Sequence, residues 1–150
     1  MTVWHLVQFN IALAKHDVDD PRMAEFVANL EPINRLGDEW PGAIWRHQSE
    51  DGDSTSTLVF DNPRLLVNYT IWESVEALHE YTYKSGHVEF LRRRREWFDP
   101  FPELPGIALW WERAGVIPTI EECEAKILHL RDHGPTEAAF TFRTTFPKPS

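Results

Sequence analysis

Along this chain the spacing of apolar residues switches between two periods, and the switches fall at turn-forming residues. A period of two reads as a half-buried strand, and a period near 3.6 as an amphipathic helix. Val3 to Ala12 is rich in β-favouring residues and predicts a first strand. Trp4, Leu6, Gln8 and Asn10 share one of its faces; Val3, His5, Val7, Phe9 and Ile11 share the other. Asp20-Pro21 supplies a helix start, with Asp as N-cap and Pro in the first helical position. Met23, Phe26, Val27, Leu30, Ile33 and Leu36 then form a helical stripe to about residue 37, which Pro32 should kink or split. Trp40-Pro41-Gly42 is a turn. Ala43 to Gln48 predicts a strand with Trp45 and His47 on the side opposite Ile44 and Arg46. Asp51-Gly52 sits in a polar loop suited to a hairpin, Leu58 to Phe60 continues a strand, and Asn62-Pro63 interrupts it. Leu65 to Trp72 is a further strand, with Leu66, Asn68, Thr70 and Trp72 on one face.

From Ser74, a suitable N-cap, the pattern predicts one long helix to about Phe98. Tyr83, His87, Phe90, Arg94 and Trp97 recur along it at spacings of four and three, which stacks them in one stripe. An ordinary core stripe would be aliphatic; this one is built to meet something flat or anionic. Gly86 lies within the same helix, where it costs about 1 kcal/mol against Ala and marks a bend or close packing. Pro100, Pro102 and Pro105 make a rigid loop before a last strand, Gly106 to Glu112. Thr119 and Glu122 form a capping box opening a helix whose inner face carries Ile120, Cys123, Ile127 and Leu130. Gly134-Pro135 ends it, and a tail over 136–150 with Phe140, Phe142 and Phe146 docks on the body or on a neighbour.

The order β-α-β-β-α-β plus an added C-terminal helix predicts an α+β fold. Its core is a ferredoxin-like antiparallel sheet with helices on one face, and 150 residues suit a single domain over 1–150. Such cover leaves one sheet face bare, although both faces carry aromatic residues; Trp110 and Trp111 must point to opposite sides. A second subunit facing the open sheet would bury it, so a homodimer is expected, with a pocket in the space between the sheets.

Composition narrows the functional classes. A formal charge of −9 argues against backbone-driven binding to nucleic acid, with Arg92 to Arg95 the one basic run. A single cysteine, Cys123, rules out an intrachain disulfide and any Cys-rich metal site, and reads as inert packing. No apolar window is long enough to span a membrane, and the N-terminus lacks the basic start of a signal peptide, so a soluble cytoplasmic protein without membrane partners is expected. No HExxH motif, EF-hand loop, phosphate-cradling Gly-rich loop or G-x-S-x-G elbow occurs, and no metal site is expected.

The segment Trp72 to Phe98, the run IWRHQSEDG around Trp45, and the late HLRDHGPTEAAFTFR resemble the family catalogued as domain of unknown function 3291, over nearly the whole chain. That family is similar to the dimeric α+β barrel superfamily, which includes antibiotic-biosynthesis monooxygenases, heme-degrading monooxygenases and some polyketide cyclases. The likeness to those relatives rests on Asn10, the Trp72-Glu73-Ser74 turn and His87. In the heme-degrading relatives an Asn, a Trp and a His line the pocket and the His ligates heme iron; Asn10, Trp72 and His87 match them by position. The Trp-to-His interval of 15 residues looks more like the antibiotic-biosynthesis branch.

The resemblance implies a cofactor-free monooxygenase, or a related biosynthetic enzyme, acting on an aromatic or polyketide-like substrate in a pocket between helix and sheet. His87 would move the proton, Asn10 and Arg94 would hold the developing oxyanion, and Trp72 and Trp97 would exclude water. Tyr83, Phe90, Trp45 and Gln8 complete the expected substrate-binding set. Each residue has a plainer reading. His87 is also a satisfied packing residue or, if heme binds, an axial ligand. Asn10 is also a strand-end cap, the Trp residues are also core, and Arg46 is either a pocket cation or a surface ion-pair partner. The alternatives are therefore a heme protein with His87 as ligand, and a non-catalytic binding or dimerisation module whose interior would be closed.

Overall fold

The computed structural model describes residues 2–48 and 57–150. The elements are β1 (Trp4–Ala14), a short 3₁₀ turn (Pro21–Met23), α1 (Ala24–Asp38), β2 (Ala43–Arg46), β3 (Leu65–Trp72), α2 (Val75–Lys84), α3 (His87–Arg92), α4 (Arg94–Trp97), β4 (Phe98–Asp99), β5 (Ile107–Arg113) and α5 (Ile120–His133). The sheet runs β2-β3-β1, and the far side of β1 is shared by β5 and the two-residue β4. All pairings are antiparallel, with Gln8 opposite both Thr70 and Leu109. This is the expected α+β architecture.

The period of two in β1 sorts the molecule into two layers of contacts. Val7, Phe9 and Ile11 face one way, beside Val67, Tyr69 and Ile71 of β3 and Ala108 and Trp110 of β5. Leu6, Gln8, Asn10 and Ala12 face the other way, beside Leu66, Asn68, Thr70 and Trp72. Helices α1 and α2 lie on this second side, where Leu6 and Trp72 meet Leu78, and Leu66 meets Phe26 and Trp97.

Helix α5 lies on the first side. Its Cys123, Ile127 and Leu130 pack into the cluster of Val7, Phe9, Tyr69 and Trp110, all of them buried within the single chain. The expectation of a bare sheet face is thereby changed: the added helix covers it in cis. The capping box forms as expected, with the Thr119 hydroxyl accepting from Glu122 N at 3.1 Å. The tail docks on its own body. Phe140 and Leu109 exchange backbone hydrogen bonds of 2.8 Å at the outer edge of β5, and Trp111 Nε1 donates to the carbonyl of Phe146.

Three local expectations change. Pro32 neither splits nor ends α1; it sits exposed inside the helix, where its missing amide donor costs one ladder bond. Residues 58–60 form no strand; Val59 and Asn62 bridge a tight turn with Phe60 and Asp61 at positive φ. The expected hairpin at Asp51-Gly52 lies outside the described residues.

The single long helix is in fact three. Ser85 turns extended, and its hydroxyl donates to the carbonyl of Tyr81 while accepting from His87 N at 3.1 Å. A serine that satisfies the backbone locally, followed by the poor helix former Gly86, ends α2 and restarts the chain at His87. The five-residue stripe is therefore divided.

Candidate functional site

A cleft of about 1230 Å³ opens between the polar side of the sheet and helices α1, α2 and α3. The strands supply Gln8, Asn10, Asn68, Thr70 and Trp72 to its floor; the helices supply Phe26, Leu30, Tyr81, His87 and Phe90 to its wall. Two close approaches shape it. Gly37 of α1 lets Tyr81 come so near that an added Cβ would sit 3.1 Å from the phenol ring. Gly42, at φ +94°, holds the turn into β2 against Ala77, where a Cβ would stand only 2.5 Å away.

The floor is held by a directed hydrogen-bond chain. Trp72 Nε1 donates to Thr70 Oγ1 at 2.8 Å, and Thr70 Oγ1 donates to Gln8 Oε1 at 2.8 Å. Above it, the Trp72 ring stacks on Tyr81 with centroids 5.3 Å apart and planes 29° apart. Tyr81 in turn meets the His87 ring at 5.1 Å and donates its hydroxyl to the carbonyl of Ile33 at 3.0 Å. Burial pushes the Tyr81 phenol far up, with the Asp38 charge adding to the effect, so it stays protonated.

His87 sits in the first turn of α3. Its Nδ1 lies 3.3 Å from the carbonyl of Thr82. A carbonyl only accepts, so Nδ1 carries the proton and Nε2 keeps its lone pair. Burial lowers the His87 pKa below its ordinary value, outweighing the Thr82 hydrogen bond. The result is a neutral imidazole on the cleft whose Nε2 has no hydrogen-bond partner among the described residues. Asn10 spends one amide hydrogen on the carbonyl of Gly106 at 2.9 Å and retains a second, together with Oδ1.

The structure thus brings Gln8, Asn10, Trp72, His87, Phe90 and Arg94 to one cleft. Tyr83 also borders it, but 47% of its surface is exposed and its ring meets His79 and Phe142. Trp97 departs from the expectation: it is buried against Phe26 and Phe90 as core, because the break after Lys84 rotates the end of the helical segment. Trp45 touches the border of the cleft, but its ring packs on Tyr69 at 4.8 Å, on the α5 side of the sheet.

The arginine run divides by function. Arg92 pairs with Glu89, and Arg93 with Glu25 and Glu96 while lying over the Trp97 ring. Arg94 and Arg95 border the cleft, and neither has an acidic partner among the described residues. Arg46 forms a two-pronged pair with Asp38 at 2.9 and 3.1 Å, which ties β2 to the end of α1. Tyr81 and Thr70 line the cleft although the sequence pattern did not single them out. Tyr81 follows Ala77 by four and Leu78 by three, the inner phase of α2, and that spacing was the available signal.

No group of three or more His, Cys, Asp or Glu side chains able to hold a metal ion occurs among the described residues. His129 and His133 lie one turn apart on α5 with rings 4.6 Å apart, and His129 is engaged with Thr136. Cys123 is sealed in the α5 core, where burial pushes its thiol up to about 12. No helix among the described residues is long and apolar enough to cross a membrane.

With the fold and cleft established, comparison places the chain. The family described as domain of unknown function, DUF3291, matches residues 5–150. The chain belongs to the DUF3291 family. Among solved structures, this DUF3291 protein is similar to a conserved protein from Methanosarcina mazei Go1. The TM-score is 0.51 at 14% identity, over 74% of this chain and 93% of that one. That likeness shows a shared fold. A protein of unknown function from Nitrosomonas europaea, NE2512, gives 0.48 at 11% identity, over 79% and 97% of the two chains. A monooxygenase from the gene ActVA-Orf6 of Streptomyces coelicolor, solved in complex with nanaomycin D, gives 0.32 at 19% identity, over 79% and 94%. The last two overlays are too loose to carry an argument. No curated protein matches the chain.

Proposed function

We propose that this DUF3291 protein is a small-molecule enzyme, monooxygenase-like and working without a cofactor, whose substrate is a flat aromatic or polyketide-like molecule. The observation that carries the reading is the neutral His87, whose unpartnered Nε2 borders a roomy, aromatic-walled cleft. Oxygenation without a cofactor needs a carbon acid whose carbanion is stabilised. His87 Nε2 accepts the proton, its Nδ1 already braced by Thr82. Asn10 and Arg94 offer hydrogen bonds and charge to the oxygen on which negative charge develops. Trp72 and Phe90 exclude water. The size of the cleft speaks against the closed, non-catalytic interior.

Anthrone is a suitable probe, because its acidic methylene can be oxidised by dioxygen to anthraquinone and water. One oxygen atom becomes the new carbonyl, and the other leaves as water with the two hydrogens. The expected result is uptake of one dioxygen per anthrone above the uncatalysed rate. Replacing His87 with Ala should lower the rate by about 10²- to 10⁴-fold while the protein stays folded. No uptake, or uptake unchanged in that variant, contradicts the reading.

One observation also supports heme binding. A histidine whose Nδ1–H meets a backbone carbonyl while Nε2 stays free is oriented as axial ligands are. His87 would hold the iron, Arg94 and Arg95 would meet acidic substituents, and the heme would supply oxygen activation. A Soret shift on adding hemin, lost in His87→Ala, is the expected signature; no shift removes this reading.

A further inference from the structure

The hydrogen-bond chain under the cleft has a direction, and the direction assigns a role to Gln8. An indole nitrogen only donates, so Thr70 Oγ1 must accept from Trp72 Nε1. A hydroxyl has one hydrogen to give, and the Gln8 atom 2.8 Å from Thr70 Oγ1 is Oε1, which only accepts, so Thr70 donates to it. Thr70 thus holds the Gln8 amide by its oxygen and leaves Nε2 for another partner. Gln8 is only 6% exposed, yet its Nε2 has no hydrogen-bond partner among the described residues. Nor is that nitrogen sealed: among the described residues the one sealed, unpartnered side-chain atom is Trp110 Nε1, on the other side of the sheet. Gln8 lines the cleft, and the cleft is the space its Nε2 keeps.

We infer that Gln8 Nε2 is a pre-oriented hydrogen-bond donor that selects ligands carrying a carbonyl or enolate oxygen at the inner end of an aromatic system. This rests on the proposed use of the cleft and specifies the chemistry it selects. Holding the donor beforehand matters because a buried amide that must first be oriented loses much of its gain to ordering. Thr70 is a positioning residue in this scheme, and Trp72 both a stacking surface and the origin of the chain. Arg94 and Arg95 at the border, without an acidic partner among the described residues, add a preference for an acidic substituent at the outer end.

The test uses two soluble probes that differ by one group: 9-oxofluorene-2-carboxylate, with a ring carbonyl, and fluorene-2-carboxylate, with a methylene there. Binding is read by quenching of tryptophan fluorescence. The intact chain should bind the carbonyl probe about ten-fold more tightly. Gln8→Met should remove the preference while the methylene probe binds as before. Thr70→Val should weaken the preference and Thr70→Ser should restore it, which a merely structural role for Thr70 would not produce. In the unmodified protein the side-chain NH₂ signals of Gln8 should shift with the carbonyl probe alone, and this arm needs no variant to fold. Equal binding of both probes, with the Gln8 signals still, overturns the assignment of Gln8 and leaves the cleft reading intact. Failure of both probes to bind overturns the two together.

Discussion

The two sides of the sheet come from alternate residues of the same strands, yet they are built for different ends. The α5 side is sealed: Val7, Phe9, Tyr69 and Trp110 are covered by Cys123, Ile127 and Leu130. The α1–α2 side places Gln8, Asn10, Asn68 and Thr70 at the alternate positions, and its helices stand off to leave a cleft. Apolar positions that meet a helix close, because their burial is favourable without further partners. Amides and hydroxyls at those positions keep a side open, because their remaining hydrogen bonds need water or a ligand. The sealed side leaves the Trp110 indole N–H unpaired with Lys126 lying 5.5 Å over its ring, a cost that packing offsets.

This contrast can be broken from either side. The largest effect should come from Ile127→Ala, which opens a hole under α5 where Ile127 is fully buried. A loss of about 2–5 kcal/mol in urea unfolding is expected, with probe affinity of the folded fraction unchanged. A loss of affinity instead would show that the two sides are coupled. Tyr81→Phe should cost about 0.5–1.5 kcal/mol, since the hydroxyl bond to Ile33 goes while the ring stacked on Trp72 stays. Affinity for the aromatic probes should hardly move.

The smallest effect is on pH dependence. The folded pKa of His87 lies below its ordinary 6.5, so the unfolded chain takes up the proton first. Its contribution to stability is complete above about pH 6.5 and is lost as pH falls from there towards the lowered folded value. His47, lowered by burial as well, adds in the same sense from the α5 side. His87→Gln should flatten part of the slope of unfolding free energy between pH 7 and 5. An unchanged slope would place the titration elsewhere.

The alternation in β1 and β3 was legible because a period of two is a property of the strand alone. The shared face of Gln8, Asn10 and Trp72 was therefore readable, and the capping box at Thr119 and Glu122 likewise needs only local spacing. The break at Ser85 was not legible. Gly86 marked the place, but the serine that turns its hydroxyl back to Tyr81 decides it, and the helical pattern continues on both sides. That break moved Trp97 into the core and gave the wall to Tyr81. The destination of α5 was hidden for a different reason. Its apolar stripe announces burial without saying against which face, and it covers the sheet face that the order of elements left bare.

One measurement addresses the central claim most directly, because each side of the sheet carries its own indole N–H reporter. Two-dimensional ¹H–¹⁵N spectra recorded while 9-oxofluorene-2-carboxylate is added should shift the Trp72 indole signal together with the Gln8 and Asn10 side-chain amides. The Trp110 indole, beneath α5, should stay in place. Movement of Trp110 with Trp72 unmoved would contradict the assignment of the cleft as the working side of this fold.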